Sequence, residues 1–338
     1  MLFKKKLPNR TAIGLIKRDI IYFSSGITRK ILHSIAANID RKTVPKPPKI
    51  AVKRLKENPI IYPEMDEKIG NNINGPSLIK VPEWVENPLG KYYLYFAHHQ
   101  GSYIRLAYAN NIAGPWKIYD RGVLNLQQSY FKDHVASPDL KIMSDRREIW
   151  LYYHGCTHGK PQMTRMAISR DGLNFTANPE ILGKPYWRIF EWDNYYYILE
   201  KPGQFLRSKT GCKDFESGPN ISLYLPNMRH AAVRVRDNML DIFYSEIRGR
   251  PEQILLSTIK LTPDWKEWIP SQPVTVLKPE TDYEGANYPI LASKTGMSRQ
   301  PVCQLRDPGI FEENGKTYLF YSVAGENGIA IAEITIES

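Results

Sequence analysis

The residues of this chain best suited to moving a proton are Asp307, Glu284, Glu246 and His230, carboxylates and an imidazole that can give or take one in water. Asp307 stands between Arg306 and Pro308. An adjacent guanidinium favours the ionised carboxylate, so Asp307 reads as a base. Glu284 lies in Asp282-Tyr283-Glu284-Gly285-Ala286-Asn287-Tyr288-Pro289. A Gly-containing turn of this kind can present a carboxylate from a loop, and Glu284 reads as the general acid. Glu246 and His230 are the further candidates for proton transfer. A second set offers the hydrogen bonds that hold a polar ligand: Arg306, Arg229, His98, His99, His134, Asp139, Asn74 and Glu200. Any one of these residues is as readily a structural histidine, a surface carboxylate or a strand-end ion pair. Their weight is collective, because ionisable groups gathered at one end of a channel are what a site requires. His98, His134, His154 and His230 could also ligate a metal, yet no HxH or HExxH spacing is present. No cofactor is expected, beyond a structural or water-positioning divalent ion in a channel.

What gathers these groups is a repeat. Arg306 to Ile334 reads as three short strands: an Arg-Asp-Pro opening, an aromatic strand after the turn Glu313-Asn314-Gly315, and a strand of small residues. The same pattern occurs four more times, with aromatic strands centred on Tyr95, Tyr152, Tyr197, Phe243 and Phe320. Their separations of 57, 45, 46 and 77 residues suit four-stranded propeller blades, the last containing an excursion. Inner strands are expected from Gly75, Ser137, Tyr186, Arg229 and Asp307. Outer strands are expected at 116–123, 175–181, 221–225 and 265–277. The fifth blade reaches the C-terminus without an outer strand, which leaves an open edge. Ile50 to Tyr62 is the expected donor. The fold class is therefore all-β, a five-bladed β-propeller with its ring closed by an N-terminal strand; a two-sheet sandwich is the alternative. In a propeller, inner-strand starts and second-strand ends share one face, which is where the candidate polar residues fall.

The formal charge of +11 is unevenly distributed. Residues 1–48 hold eleven Lys and Arg against Asp19 and Asp40, leaving only +2 for residues 49–338. The main domain thus has no basic surplus for a nucleic acid, and none is expected as a partner. Residues 1–48 read as a separate basic extension ending in the Pro-rich Val44–Lys49 linker. Ile20, Phe23, Ile27, Ile31 and Ile35 recur at helical spacing, so 19–39 is expected to be an amphipathic helix. That stripe could pack on the propeller or on a second subunit, making an oligomer possible, or touch an anionic membrane surface peripherally. Lys17, Arg18 and Asp19 interrupt any signal-peptide core, and no 18-residue apolar run occurs. Three widely spaced cysteines give no disulfide framework. A cytoplasmic protein, possible at the inner membrane surface, is the expectation.

With Arg306-Asp307-Pro308 and Ser137-Pro138-Asp139 as strand openings, YYLYF-type second strands, and third-strand endings AYANNIAGPW and AISRDGLNF, residues 50–338 resemble the five-bladed β-propeller glycoside hydrolases of families 43, 32, 68 and 117. The resemblance implies a carbohydrate-active enzyme cleaving glycosidic bonds of an oligo- or polysaccharide. Alternatives are a non-catalytic sugar-binding propeller and an intracellular glycan-processing transferase. In family 43 it implies an Asp before Pro in the first blade as base, a second Asp in the next, and a Glu in the third as acid. This chain departs from that set. Gly75 and Ser137 precede the prolines of blades one and two, and the third inner strand carries Arg188. A shifted set of Asp307, Glu284, Glu246 and a His acid is expected instead; family 117 resembles this in using a His.

Overall fold

The computed structural model describes residues 44–337, and its compact unit begins at Pro45. The expected amphipathic helix and membrane contact of residues 1–43 lie outside the described residues. Among the described residues, twenty strands form five four-stranded antiparallel sheets. Blade one holds β2 (Asn74–Lys80), β3 (Tyr92–Ala97), β4 (Tyr103–Ala109) and β5 (Lys117–Asn125). Blade two holds β6 (His134–Met143), β7 (Glu148–Cys156), β8 (Met163–Ser169) and β9 (Thr176–Ala177). Blade three holds β10 (Arg188–Trp192), β11 (Tyr195–Glu200), β12 (Gln204–Ser208) and β13 (Glu216–Asn220). Blade four holds β14 (Met228–Arg236), β15 (Met239–Glu246), β16 (Ile254–Lys260) and β17 (Val274–Leu277).

Blade five consists of β18 (Arg306–Glu313), β19 (Lys316–Ser322), β20 (Ile329–Glu337) and, as its outer strand, β1 (Lys49–Arg54). The register of β1 on β20 runs from Lys49↔Glu337 to Arg54↔Ala332, and Ile60 and Ile61 continue the contact by donating to Ile329 O. The edge left by the fifth repeat is thus closed by the N-terminal segment, as the sequence requires.

The aromatic strands follow from period two in a blade that is buried on both faces. In β3, Tyr93 and Tyr95 enter the core between blades one and two, whereas Tyr92, Leu94 and Phe96 enter the core between blades five and one. Each of the five blade–blade contacts has its own apolar cluster of this kind. Tyrosine hydroxyls also tie adjacent blades: Tyr95 donates to Gly172 O at 2.8 Å and Tyr152 to Gly211 O at 2.9 Å, each reaching the turn after the next blade's third strand.

The outer strands differ most from expectation. In blade three the outer strand is Glu216–Asn220, and the expected 221–225 is a 3-10 turn over Ile221–Leu223 whose Ile221, with Leu225, fills the core between blades three and four. In blade four only Val274–Leu277 pairs, and Trp265 sits in a 3-10 turn.

Candidate active site

Four inner strands open with a slip in pairing, between Asn74 and Ser77, Ala136 and Asp139, Met228 and Ala231, and Arg306 and Gly309. A bulge turns the strand and re-aims the side chain it carries. Gly75, Ser137 and Asp307 occupy these bulges just before their prolines, with φ of +64°, +48° and +46°. Tyr186, just ahead of the third inner strand, has the same left-handed backbone at φ +64°. A left-handed backbone costs a non-glycine residue about 1–3 kcal/mol, so Ser137, Tyr186 and Asp307 are held there by their surroundings.

These positions converge on a tightly closed well lined by Asn74, His99, Ala136, Ser137, His154, Tyr186 and His230, whose side chains leave almost no room even for water. Pockets that enclose a drug-sized ligand run to roughly 300–1,000 Å³, so a ligand meets this well at its mouth. Roomier grooves lie elsewhere, for example beside Val81, Pro82, Val85 and Lys91, but they gather no comparable set of convergent polar groups.

The Tyr186 ring stands between two imidazoles, with centroids 4.3 Å from His154 and 4.5 Å from His230. His134 meets His154 edge-on at 6.0 Å. Burial pushes both His154 and His230 well below the ordinary imidazole value; His134 and His99 add to this at His154, Arg229 and Lys201 at His230. Both rings are therefore neutral at pH 7. No protein group bonds His154 Nδ1. His230 Nδ1 is in contact with Asp307 Oδ1. Two lone pairs would repel there, so the contact places a proton between them, and the cations around the pair favour its net charge of −1. His230 Nε2 is then an acceptor. Burial likewise raises Tyr186 to about 12, so its hydroxyl keeps its proton.

Behind the well runs a buried ionic chain. Arg306 contacts Glu326 at 2.7 Å and Glu252 at 3.0 Å, and Glu252 in turn contacts Arg229 at 3.3 Å. Burial would raise Glu326, but hydrogen bonding by His99, the Arg306 charge and Asn72 outweigh it and hold the carboxylate below its usual range. Arg229 also donates to Lys294 O and Gly296 O, which fastens the excursion before blade five against this chain.

The sequence-derived candidates separate accordingly. Asn74, His99 and His230 line the well, and Asp307 touches it through His230. Arg306 does not pair with its neighbour Asp307 as expected; its guanidinium serves Gln304, Glu252 and Glu326. Arg229 is likewise committed to the ionic chain. His134 lies beside the well, near Cys156 Sγ at 3.4 Å and Gln162 at 3.4 Å, and burial lowers it. Asp139 accepts from Ile189 N at 3.0 Å and so joins blade two to blade three; burial raises its pKa against the pull of Arg188. Glu200 accepts from Lys184 N and Trp187 Nε1, holding the loop that carries Tyr186. His98 accepts from Gln100 N and is half-buried outside the well. Glu246 ends β15, half-buried, with its pKa raised by burial and by Glu252.

The reading of Glu284 as a general acid is corrected. Its side chain has 0% exposure and accepts from Arg54 Nε at 2.7 Å, Arg54 Nη2 at 3.1 Å, Tyr321 Oη at 2.9 Å, and the amides of Glu280 and Thr281. A carboxylate with five donors and no access to the well fastens the closing strand to the excursion. Tyr186 and Lys201 are site residues that the sequence did not single out. Among the described residues, no group of three or more His, Cys, Asp or Glu side chains is arranged to hold a metal ion, and no helix is long and apolar enough to cross a membrane.

No family model matches the chain. It is 35% identical over 297 residues to uncharacterized protein R118 of Acanthamoeba polyphaga mimivirus, covering 78% of this chain and 83% of the viral one. The chain belongs to the family of that protein. Among solved structures it is similar to a protein of the GH130 family of mannoside phosphorylases, which contains glycoside hydrolases that target β-1,2-mannosidic linkages in Candida mannan. The TM-score is 0.62 at 11% identity, over 84% of this chain and 93% of the other. It is also similar to CoXyl43, a GH43 β-xylosidase/α-arabinofuranosidase from a compost microbial metagenome, with a TM-score of 0.56 at 13% identity over 85% and 96% of the two chains. A GH43 enzyme of Xanthomonas citri gives 0.55 at 11% identity over 80% and 88%. The chain thus has the fold of the five-bladed β-propeller glycoside hydrolases.

Proposed function

We propose that this protein is a carbohydrate-active enzyme that binds an oligo- or polysaccharide at the mouth of the channel well and uses the Asp307–His230 pair as its general base. The observation that carries this is the buried contact between His230 Nδ1 and Asp307 Oδ1, with a neutral imidazole beside the well. Asp307 orients the ring and stabilises the imidazolium that forms when Nε2 takes a proton from water or from a sugar hydroxyl. Tyr186, whose hydroxyl has no protein partner among the described residues, offers a ring edge and a donor to the sugar. Glu246, on the same blade as His230 and with a raised pKa, is the proton donor for the leaving oxygen. An inverting hydrolysis needs base and acid roughly 6.5–9.5 Å apart, with water between them.

Asp307→Asn and His230→Gln test this together. Each is expected to lower turnover about 10²–10⁴-fold, the range of a general base, while sugar binding stays within a few-fold. Turnover that survives both substitutions refutes the base assignment. A sugar-binding protein without turnover is the second reading, favoured by the Gly75 and Ser137 that stand where family 43 has aspartates. It wins if the wild type binds oligosaccharides and releases no product.

A further inference from the structure

The charges around the well are almost all spoken for. Asp307 is engaged by His230, Asp139 by Ile189 N and, at 3.9 Å, Arg188, and Glu200 by Lys184 N and Trp187. Glu252 and Glu326 are taken by Arg229 and Arg306. Arg188 spends its donors on Ala231 O and Trp187 O. Lys201 stands apart. It follows β11, is half-buried, and carries its ammonium 5.2 Å above the ring of Tyr186, a wall of the well. It has no hydrogen-bond acceptor or carboxylate partner among the described residues. Arg229 is the charged group that acts on it, its own charge bears on the neutral rings of His154 and His230, and the adjacent Glu200 is committed to Lys184 N and Trp187.

A half-buried ammonium without a counter-ion is costly, and a nearby guanidinium makes it costlier. Tyr186 explains how the cation is held, since an ammonium over an aromatic face is attracted by the ring's quadrupole. It does not supply the missing negative charge. A ligand can.

We infer that the saccharide accepted by this well carries an acidic substituent, a carboxylate or a sulfate or phosphate ester on the ring, and that Lys201 reads it. The inference rests on the carbohydrate reading above and deepens it. The geometry agrees: Lys201 reaches over the same Tyr186 that a sugar at the mouth of the well would meet. An oxyanion at this position gains a charge-assisted hydrogen bond from Nζ. It would also lie near the Arg229 charge and the neutral imidazoles of His154 and His230. Lys201 is here a specificity residue; it has no part in the proton transfer.

The test is calorimetric binding with matched methyl glycosides: glucuronide against glucoside, galacturonide against galactoside, and the 6-sulfate and 6-phosphate of each neutral sugar. Inorganic phosphate alone is a separate arm. The expected result is at least tenfold tighter binding of the acidic member of one pair, weakened by salt. Lys201→Met should reduce that preference to within about twofold, and Lys201→Arg should retain it. If Lys201→Met melts early, Lys201→Gln and the salt dependence of the wild type carry the same comparison. Equal binding of acidic and neutral members, unchanged in Lys201→Met, overturns the inference and leaves the carbohydrate reading standing. Phosphate alone binding as tightly as the acidic sugars also overturns it, because the anion would then not be borne by the sugar. No binding of any saccharide overturns the carbohydrate reading itself.

Discussion

Glu284 offers the sharpest test of how the ring is closed. The Glu284→Gln substitution keeps the shape of the side chain, removes its charge, and replaces one acceptor oxygen with an amide nitrogen. Wherever that nitrogen points it meets donors, because Arg54, Tyr321 and the amides of Glu280 and Thr281 all aim at this carboxylate. Breaking a buried ion pair by removing one partner costs about 3–5 kcal/mol. Arg54 keeps Glu280 at 3.1 Å and Lys278 O at 3.0 Å, and its side chain is 22% exposed, so the loss is reduced to about 2–4 kcal/mol. For a domain of this size that corresponds to a fall in Tm of roughly 3–7 °C. The assay is thermal and urea unfolding of Glu284→Gln, Arg54→Met and the double variant, followed by tryptophan fluorescence. The double variant should lose at least about 1 kcal/mol less than the sum of the single losses, since the two residues share one interaction. Per folded molecule, Glu284→Gln should bind saccharide like the wild type. A variant that melts within 2 °C of the wild type yet has lost turnover would refute this reasoning and return Glu284 to the chemistry.

Three further outcomes are expected. His154 and His230 are neutral and buried in the folded protein but bind protons below about pH 6.5 once unfolded, so stability is full above that pH and falls as the pH drops below it. Each can contribute up to about 1.4 kcal/mol per pH unit; Tm measured from pH 7.5 to 5.5 should fall in that window, and a flat profile contradicts the assignment. A Cβ at Gly309 would lie 2.4 Å from Pro76 O, where blades five and one meet, so Gly309→Ala should cost about 1–3 kcal/mol in urea unfolding; an unchanged midpoint counts against that close packing. A chain beginning at Asn58 lacks β1 and exposes the β20 edge, and should aggregate or melt earlier than one beginning at Val44; equal stability and solution size would contradict closure by β1.

The blades were legible in the sequence because each second strand alternates large apolar side chains between two buried faces, as Tyr93 and Tyr95 do against Tyr92, Leu94 and Phe96. The outer strand of blade one was legible too, but that of blade three was not, because at the rim a strand such as Glu216–Asn220 needs only its backbone to pair. The positions of Asp307 and His230 could be read because they occupy equivalent places in adjacent repeats. Their contact could not. Arg306 and Asp307 are neighbours in sequence, yet successive side chains of a strand point apart, so each finds its partner elsewhere. Glu284 was misread for a related reason: its partner Arg54 lies 230 residues away, and nothing local distinguishes a buried carboxylate from a presented one. Tyr186 was hidden among 21 tyrosines, most of which build the core, and only its stacking between two imidazoles distinguishes it.

The account turns on the well being where a glycan meets the Asp307–His230 pair. A crystal structure of the His230→Gln variant soaked with a mixture of oligosaccharides tests this most directly. It should show a sugar ring against Tyr186 with an oxygen within hydrogen-bond distance of residue 230. A glycan bound on the outer faces of the blades, with the well empty, would contradict it.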